Sequence, residues 1–152
     1  MSAGFDHLTI VVTDLDDAKR FFGTLGFAES HSVVVKGPTM AAYMGISDWE
    51  ADHVTLVDQG APVHQEIQLL RFHRPDAAID TGSGDLSRTG FSHLCLRVDD
   101  LDAAVARLAQ IGRRPRNDVM AFHDRRLVFF DGPAGVVVEL AEWQSDPGVT
   151  PS

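Results

Sequence analysis

The chain has 152 residues, a formal net charge of -9 at pH 7, a pI near 5.0 and one cysteine, Cys95. An acidic surface repels polyanions, so nucleic acid and anionic membranes are excluded as partners and a small molecule is expected. A lone cysteine excludes a disulfide framework and a cysteine-built zinc site, and no export signal or apolar run near the ~20 residues of a membrane span is visible, so a cytoplasmic protein without membrane partners is expected.

The first predicted element is a strand in which Leu8, Ile10 and Val12 alternate with His7, Thr9 and Val11. Asp14 is a good N-cap for a helix whose apolar face is Leu15, Ala18, Phe22 and Leu25, and Gly26 is placed to end it. Three strands follow, in "AESHSVVVKG", "ADHVTLVDQ" and "HQEIQLLRF". Residues 73–90, rich in Pro, Gly and Ser, form an expected linker. A second strand and helix come next: Leu94, Leu96 and Val98 alternate with His93, Cys95 and Arg97, Asp100 caps, Leu101, Ala104, Leu108 and Ile111 face inward, and Gly112 stops the helix. A short strand near Arg113 to Arg116, then "RRLVFF" and "GVVVELAEW", complete the series, and residues 144–152 read as a disordered tail. Met40, Tyr43, Met44, Trp49 and Phe122 read as plain core rather than pocket wall, and Arg125 and Arg126 as a solvated strand edge.

These elements are two copies of one unit. Laid without a gap over residues 91–112, residues 5–26 share nine identities in 22 positions, among them His7 with His93 and Asp14 with Asp100. Aligning Pro62 with Pro133, in the turns before the last strands, places Gln68 on Glu139. The expected fold class is therefore α+β: two βαβββ modules in tandem, 5–72 and 91–143, within one domain over 1–143, forming a curled mixed sheet around a central cavity with the helices outside.

Strand parity puts each histidine on the face opposite the helix-covering residues. On the last strands it puts Glu139 with Val137, Ala141 and Trp143, and Gln68 with His64, Glu66, Leu70 and Phe72. Curling would bring these polar side chains together, and two imidazoles with a carboxylate suit one divalent ion, Fe, Mn, Co, Ni or Zn. Because Glu66 shares a face with Gln68, a small register shift would make it the ligand instead. His31, His73 and His123 lack partners in the repeat and read as surface or loop residues, with His123 the weak candidate for a substrate contact.

The segments "FDHLTIVVTDLDDAKRFF", "FSHLCLRVDDLDAAVARL" and "VFFDGPAGVVVELAEW" resemble the vicinal oxygen chelate superfamily, which includes glyoxalase I, epimerases, fosfomycin- and bleomycin-resistance proteins and extradiol dioxygenases. The resemblance runs from Phe5 to about Trp143. It implies His7, His93 and Glu139 as metal ligands with Gln68 as the fourth, and a homodimer. It also implies a metal-dependent lyase, isomerase or epimerase that stabilises an enolate-like intermediate, with Glu139 moving the proton. The alternatives are ring-cleaving dioxygenation at non-haem iron(II) and a metal-free binding or resistance protein.

Overall fold

The structure, a computed structural model, describes residues 1–145; residues 146–152, most of the expected tail, lie outside the described residues. The chain divides into two compact units, Met1–Ile79 and Asp80–Ser152. No helix among the described residues is long and apolar enough to cross a membrane.

Unit one runs β1 (His7–Val11), α1 (Leu15–Thr24), β2 (Phe27–Lys36), α2 (Pro38–Met44), β3 (Glu50–Asp58) and β4 (Glu66–Arg74). Its sheet has the order β1-β4-β3-β2, with β1 parallel to β4 and the other pairs antiparallel. Asp14 caps α1 by accepting from Asp17 N at 3.0 Å, and Gly26, at φ 100°, takes a backbone conformation that a side chain would strain. Ala18, Phe21 and Phe22 are fully buried, and they share the core with Ile10, Val12, Val54, Leu56, Ile67 and Leu69. Register puts Val54 opposite Leu69 and Leu56 opposite Ile67, so this is one face of the sheet, as the alternation predicts.

Helix α2 was not anticipated. Seven residues between Gly37 and Gly45 are too few to display a helical period, and Pro38 at its first turn is a start signal rather than a break. It covers the end of the opposite face, where buried Trp49, Ala51 and Leu70 pack with Val35, Met40, Met44 and Phe72. Trp49 is core, as expected, whereas Tyr43 is exposed. Strand β4 also continues through His73 and Arg74 into the segment expected to be linker.

Unit two runs β5 (Leu94–Arg97), α3 (Leu101–Gln110), β6 (Met120–Phe122), β7 (Arg125–Asp131), a 3-10 turn at Pro133–Gly135 and β8 (Val137–Trp143). Its sheet order, β5-β8-β7-β6, repeats that of unit one, again with the first pair parallel. The expected α+β class and tandem modules are thus present, with α1 and α3 each packed on one face of their sheet. Asp100 caps α3 through Ala103 N at 2.9 Å, and Leu101 and Leu108 are fully buried with Val128, Phe130, Val138 and Leu140. The short strand expected near Arg113 to Arg116 is instead one isolated bridge, Pro115 to Phe130, and the edge strand lies later, at Met120–Phe122. Pro115 has no N–H to extend a ladder. Beyond β8, Gln144 N donates to Asp124 O at 2.7 Å.

Candidate functional site

The face of sheet one opposite α1 is built by β1, β4 and β3, with α2 over its far end. Thr9 lies opposite Gln68 in the parallel pair, and Thr55 opposite Gln68 in the antiparallel pair. In sheet two, Cys95 and Phe129 lie opposite Glu139 in the same two ways. Cys95 is two residues past His93 just as Thr9 is two past His7, so Gln68 and Glu139 occupy equivalent places. Glu66 sits one pleat earlier, opposite His7 itself.

Glu66 is nevertheless tied to the site. Gln68 Nε2 donates to Glu66 Oε1 at 2.7 Å, and His64 Nε2 pairs with Glu66 Oε2 at 2.9 Å. These two hydrogen bonds hold the Glu66 carboxyl below its usual range, against an opposing contribution from burial. A carboxylate only accepts, so it fixes the orientation of the amide, and Gln68 Oε1 must face away from it. That oxygen meets His53 Nε2 at 3.0 Å, so His53 donates through Nε2, while its Nδ1 is buried with no partner among the described residues. His53, which the repeat did not single out, is thus part of the Gln68 environment; the β3–β4 register that brings them together is invisible in sequence.

The two matched histidines are held alike. His7 Nδ1 donates to Asp6 Oδ1, so Nε2 is the ring nitrogen that this hydrogen bond leaves unengaged. His93 Nδ1 shares a hydrogen bond with Ser92 Oγ at 2.9 Å, and in the tautomer where serine accepts, Nε2 is again free. His93 Nε2 stands 3.7 Å from Glu139 Oε1, outside hydrogen-bond range, and the Phe129 ring packs edge-on to the imidazole at 5.0 Å between centroids.

Desolvation, followed by the hydrogen bond to Glu139 and its charge, pushes the Cys95 thiol up to about 12. The residue as a whole is open to solvent, so the carboxylate is the cause that persists. Cys95 remains a thiol at neutral pH and is unsuited to nucleophilic work.

Other candidates fall elsewhere. Arg126 bonds Asp102 at 3.0 Å and Glu142 at 3.4 Å on the helix side, where Glu142 Oε2 also accepts from Leu101 N at 2.7 Å. The Asp102 pair lies in solvent, as expected of Arg126, and the Glu142 pair is partly buried. His73, expected as a surface or loop residue, is exposed but lies at the end of β4, between Glu50 at 2.7 Å and Asp52 at 2.9 Å. His123 is in the β6–β7 turn at φ 52°, against Phe122. A cleft of about 470 Å³ opens beside α2, lined in part by Lys36, Trp49 and Arg74, at the end of sheet one away from Gln68.

Within neither unit do three His, Cys, Asp or Glu side chains among the described residues gather closely enough to hold a metal ion by themselves. The donor types do fit one: an imidazole and a side-chain oxygen lie on each sheet, and each imidazole is hydrogen-bonded through Nδ1, the arrangement that orients metal-binding histidines.

Residues 6–130 match the model of the Glyoxalase/Bleomycin resistance protein/Dioxygenase superfamily. No curated protein matches the chain. Among solved structures, a glyoxalase family protein from Bacillus cereus is 26% identical with a TM-score of 0.84, over 93% of this chain and 94% of that one. A glyoxalase family protein from Enterococcus faecalis is 20% identical with a TM-score of 0.63, over 91% of this chain and 97% of that one. A fosfomycin resistance protein from Listeria monocytogenes, solved with Mn(II) and sulfate, is 15% identical with a TM-score of 0.59, over 93% of each chain. The repeated sheet order, the matched register and the family match over most of the chain together place this protein in the glyoxalase, bleomycin-resistance and dioxygenase superfamily.

Proposed function

We propose that His7, Gln68, His93 and Glu139 together hold one divalent metal ion, and that the protein is a lyase, isomerase or epimerase acting on a small substrate with an oxygen beside an enolisable carbon. The observation that carries the reading is the shared register, Thr9 opposite Gln68 and Cys95 opposite Glu139, which gives the two histidines equivalent oxygen-bearing neighbours. The ion would supply Lewis acidity towards the substrate oxygens. Gln68 contributes a neutral carbonyl where Glu139 contributes an anion, so the ligand set leaves a dication with one net positive charge.

Glu139, with its side chain 15% exposed, is the group that takes the proton from carbon and returns it. His53 steadies Gln68 by donating to its carbonyl, and Phe129 excludes water from one side of His93. The two units act as one functional domain in this reading, and the working form is a homodimer, since edge strands β2 and β6 leave backbone groups open to pairing.

The test is proton exchange in D2O. Protein loaded with Mn(II), Fe(II), Co(II), Ni(II) or Zn(II) is offered a panel of 2-oxo acids, hemithioacetals and acyl thioesters, and deuterium next to the carbonyl is followed by NMR. Exchange that requires metal and stops on chelation supports the proposal. Oxygen uptake with Fe(II) and a catechol, in the absence of any exchange, would replace it by ring-cleaving oxygenation.

A further inference from the structure

Lys19, Arg71, Arg74, Arg88, Arg116 and Arg126 each meet a carboxylate at 2.9 to 3.5 Å. Arg97 and Arg125 have no carboxylate partner among the described residues. They converge instead on one indole, with Arg125 Cζ 4.4 Å and Arg97 Cζ 5.9 Å from the Trp143 ring centroid. Register places Arg97 opposite Ala141 and Arg125 opposite Trp143, so all three share the helix-free face with Glu139.

Two guanidinium groups against one ring repel each other, and the indole supplies only part of the compensation. Arg125 Nε, moreover, is buried with no hydrogen-bond partner among the described residues. An orphaned buried donor is costly unless something fills it, and a guanidinium edge is shaped for an oxyanion.

We propose that Arg97, Arg125 and Trp143 form an anion subsite that takes the carboxylate or phosphonate group of the substrate. The assignment rests on the reading above, in which the reacting end of the substrate lies at Glu139. Arg97 is two residues past Cys95, and Trp143 is four past Glu139, which is roughly 7 to 13 Å along the strands. The substrate class is therefore an extended organic acid, with its anion at one end, its reactive oxygens at the other, and an apolar spacer lying on Trp143. Acids of two or three carbons are too short.

Calorimetric titration of the metal-free protein tests this with phenylacetate, phenylphosphonate and the neutral phenylacetamide. Either acid should bind about tenfold or more tightly than the amide, and Arg97→Gln and Arg125→Gln should each weaken the acid about tenfold, with no change on Arg107→Gln in the exposed last turn of α3. The tighter acid identifies the anion. Equal binding of acid and amide, no binding of either acid, or unchanged affinity in both arginine variants would overturn the proposal. Should a variant fail to fold, native protein decides: about 0.5 M salt must weaken the acid and spare the amide, and an acid affinity indifferent to salt contradicts the subsite. Because no metal is present, loss of anion binding in a chain that still takes up metal sinks this inference alone. Loss of the metal claim with anion binding intact sinks only the function reading.

Discussion

Two positions before Gln68 the chain has Glu66; two positions before Glu139 it has Val137. The two sheets share order and register, yet the carboxylate lies one pleat earlier in sheet one, and the amide at the matched place donates to it at 2.7 Å. In sheet two Glu139 has no acidic neighbour on its own strand and face, and it faces His93 directly. A second glutamate at position 68 would set two carboxylates side by side, whereas glutamine satisfies Glu66 with its nitrogen and keeps an oxygen for another role. The two copies share the geometry of the position and differ in the charge beside it.

The comparison breaks most severely in the cores. Phe22 and Leu108 occupy matched helix positions and are both fully buried. Phe22→Ala should cost about 3 to 5 kcal/mol and Leu108→Ala about 2 to 5 kcal/mol, read from denaturant unfolding. A cost under about 1 kcal/mol at either would mean that its helix is not packed on its sheet as described.

Gln68→Glu removes the difference between the copies. Without metal the variant should lose about 1 to 3 kcal/mol, because Glu66 loses a donor and gains a like charge. With metal it should bind the ion more tightly and turn over more slowly, since an anionic ligand neutralises the charge that activates the substrate. Competition against a chelator measures the first effect, and unchanged affinity would remove Gln68 from the ligand set.

A smaller asymmetry lies at the strand ends, where His73 of sheet one aligns with Gln144 of sheet two. Hydrogen bonds to Glu50 and then Asp52 raise the His73 imidazole above its ordinary value of 6.5. The hydrogen bond from His73 lowers Glu50; burial opposes the shift in Asp52, but hydrogen bonds from His73 and Arg71 hold it low. His73 therefore stabilises unit one fully below pH 6.5, and its contribution fades as pH rises through the raised folded value. The carboxylates' share is present above their ordinary values and lost as pH falls through the lowered ones. An NMR titration should place His73 above 6.5, and His73→Gln should flatten the alkaline part of the stability profile. A titration at or below 6.5 would contradict the cluster.

Much of this was legible in the sequence because the signals were local or repeated. Asp14 and Asp100 announced their helices, and the Pro62–Pro133 alignment predicted the equivalence of Gln68 and Glu139 that the register bears out. Helix α2 was hidden by its brevity, and the edge strand of unit two was displaced by Pro115. The His53–Gln68–Glu66 chain and the Arg97–Trp143–Arg125 cluster depend on which residues face each other across strands, and a single sequence carries that information only weakly.

The central claim is that matched residues of both copies hold a single ion, and metal content measured on protein purified without an affinity tag tests it most directly. The native chain should carry one divalent ion per chain, and His7→Ala alone or His93→Ala alone should each abolish stoichiometric metal while the far-ultraviolet circular dichroism spectrum is retained. Full metal in the His7→Ala, His93→Ala double variant would contradict the account.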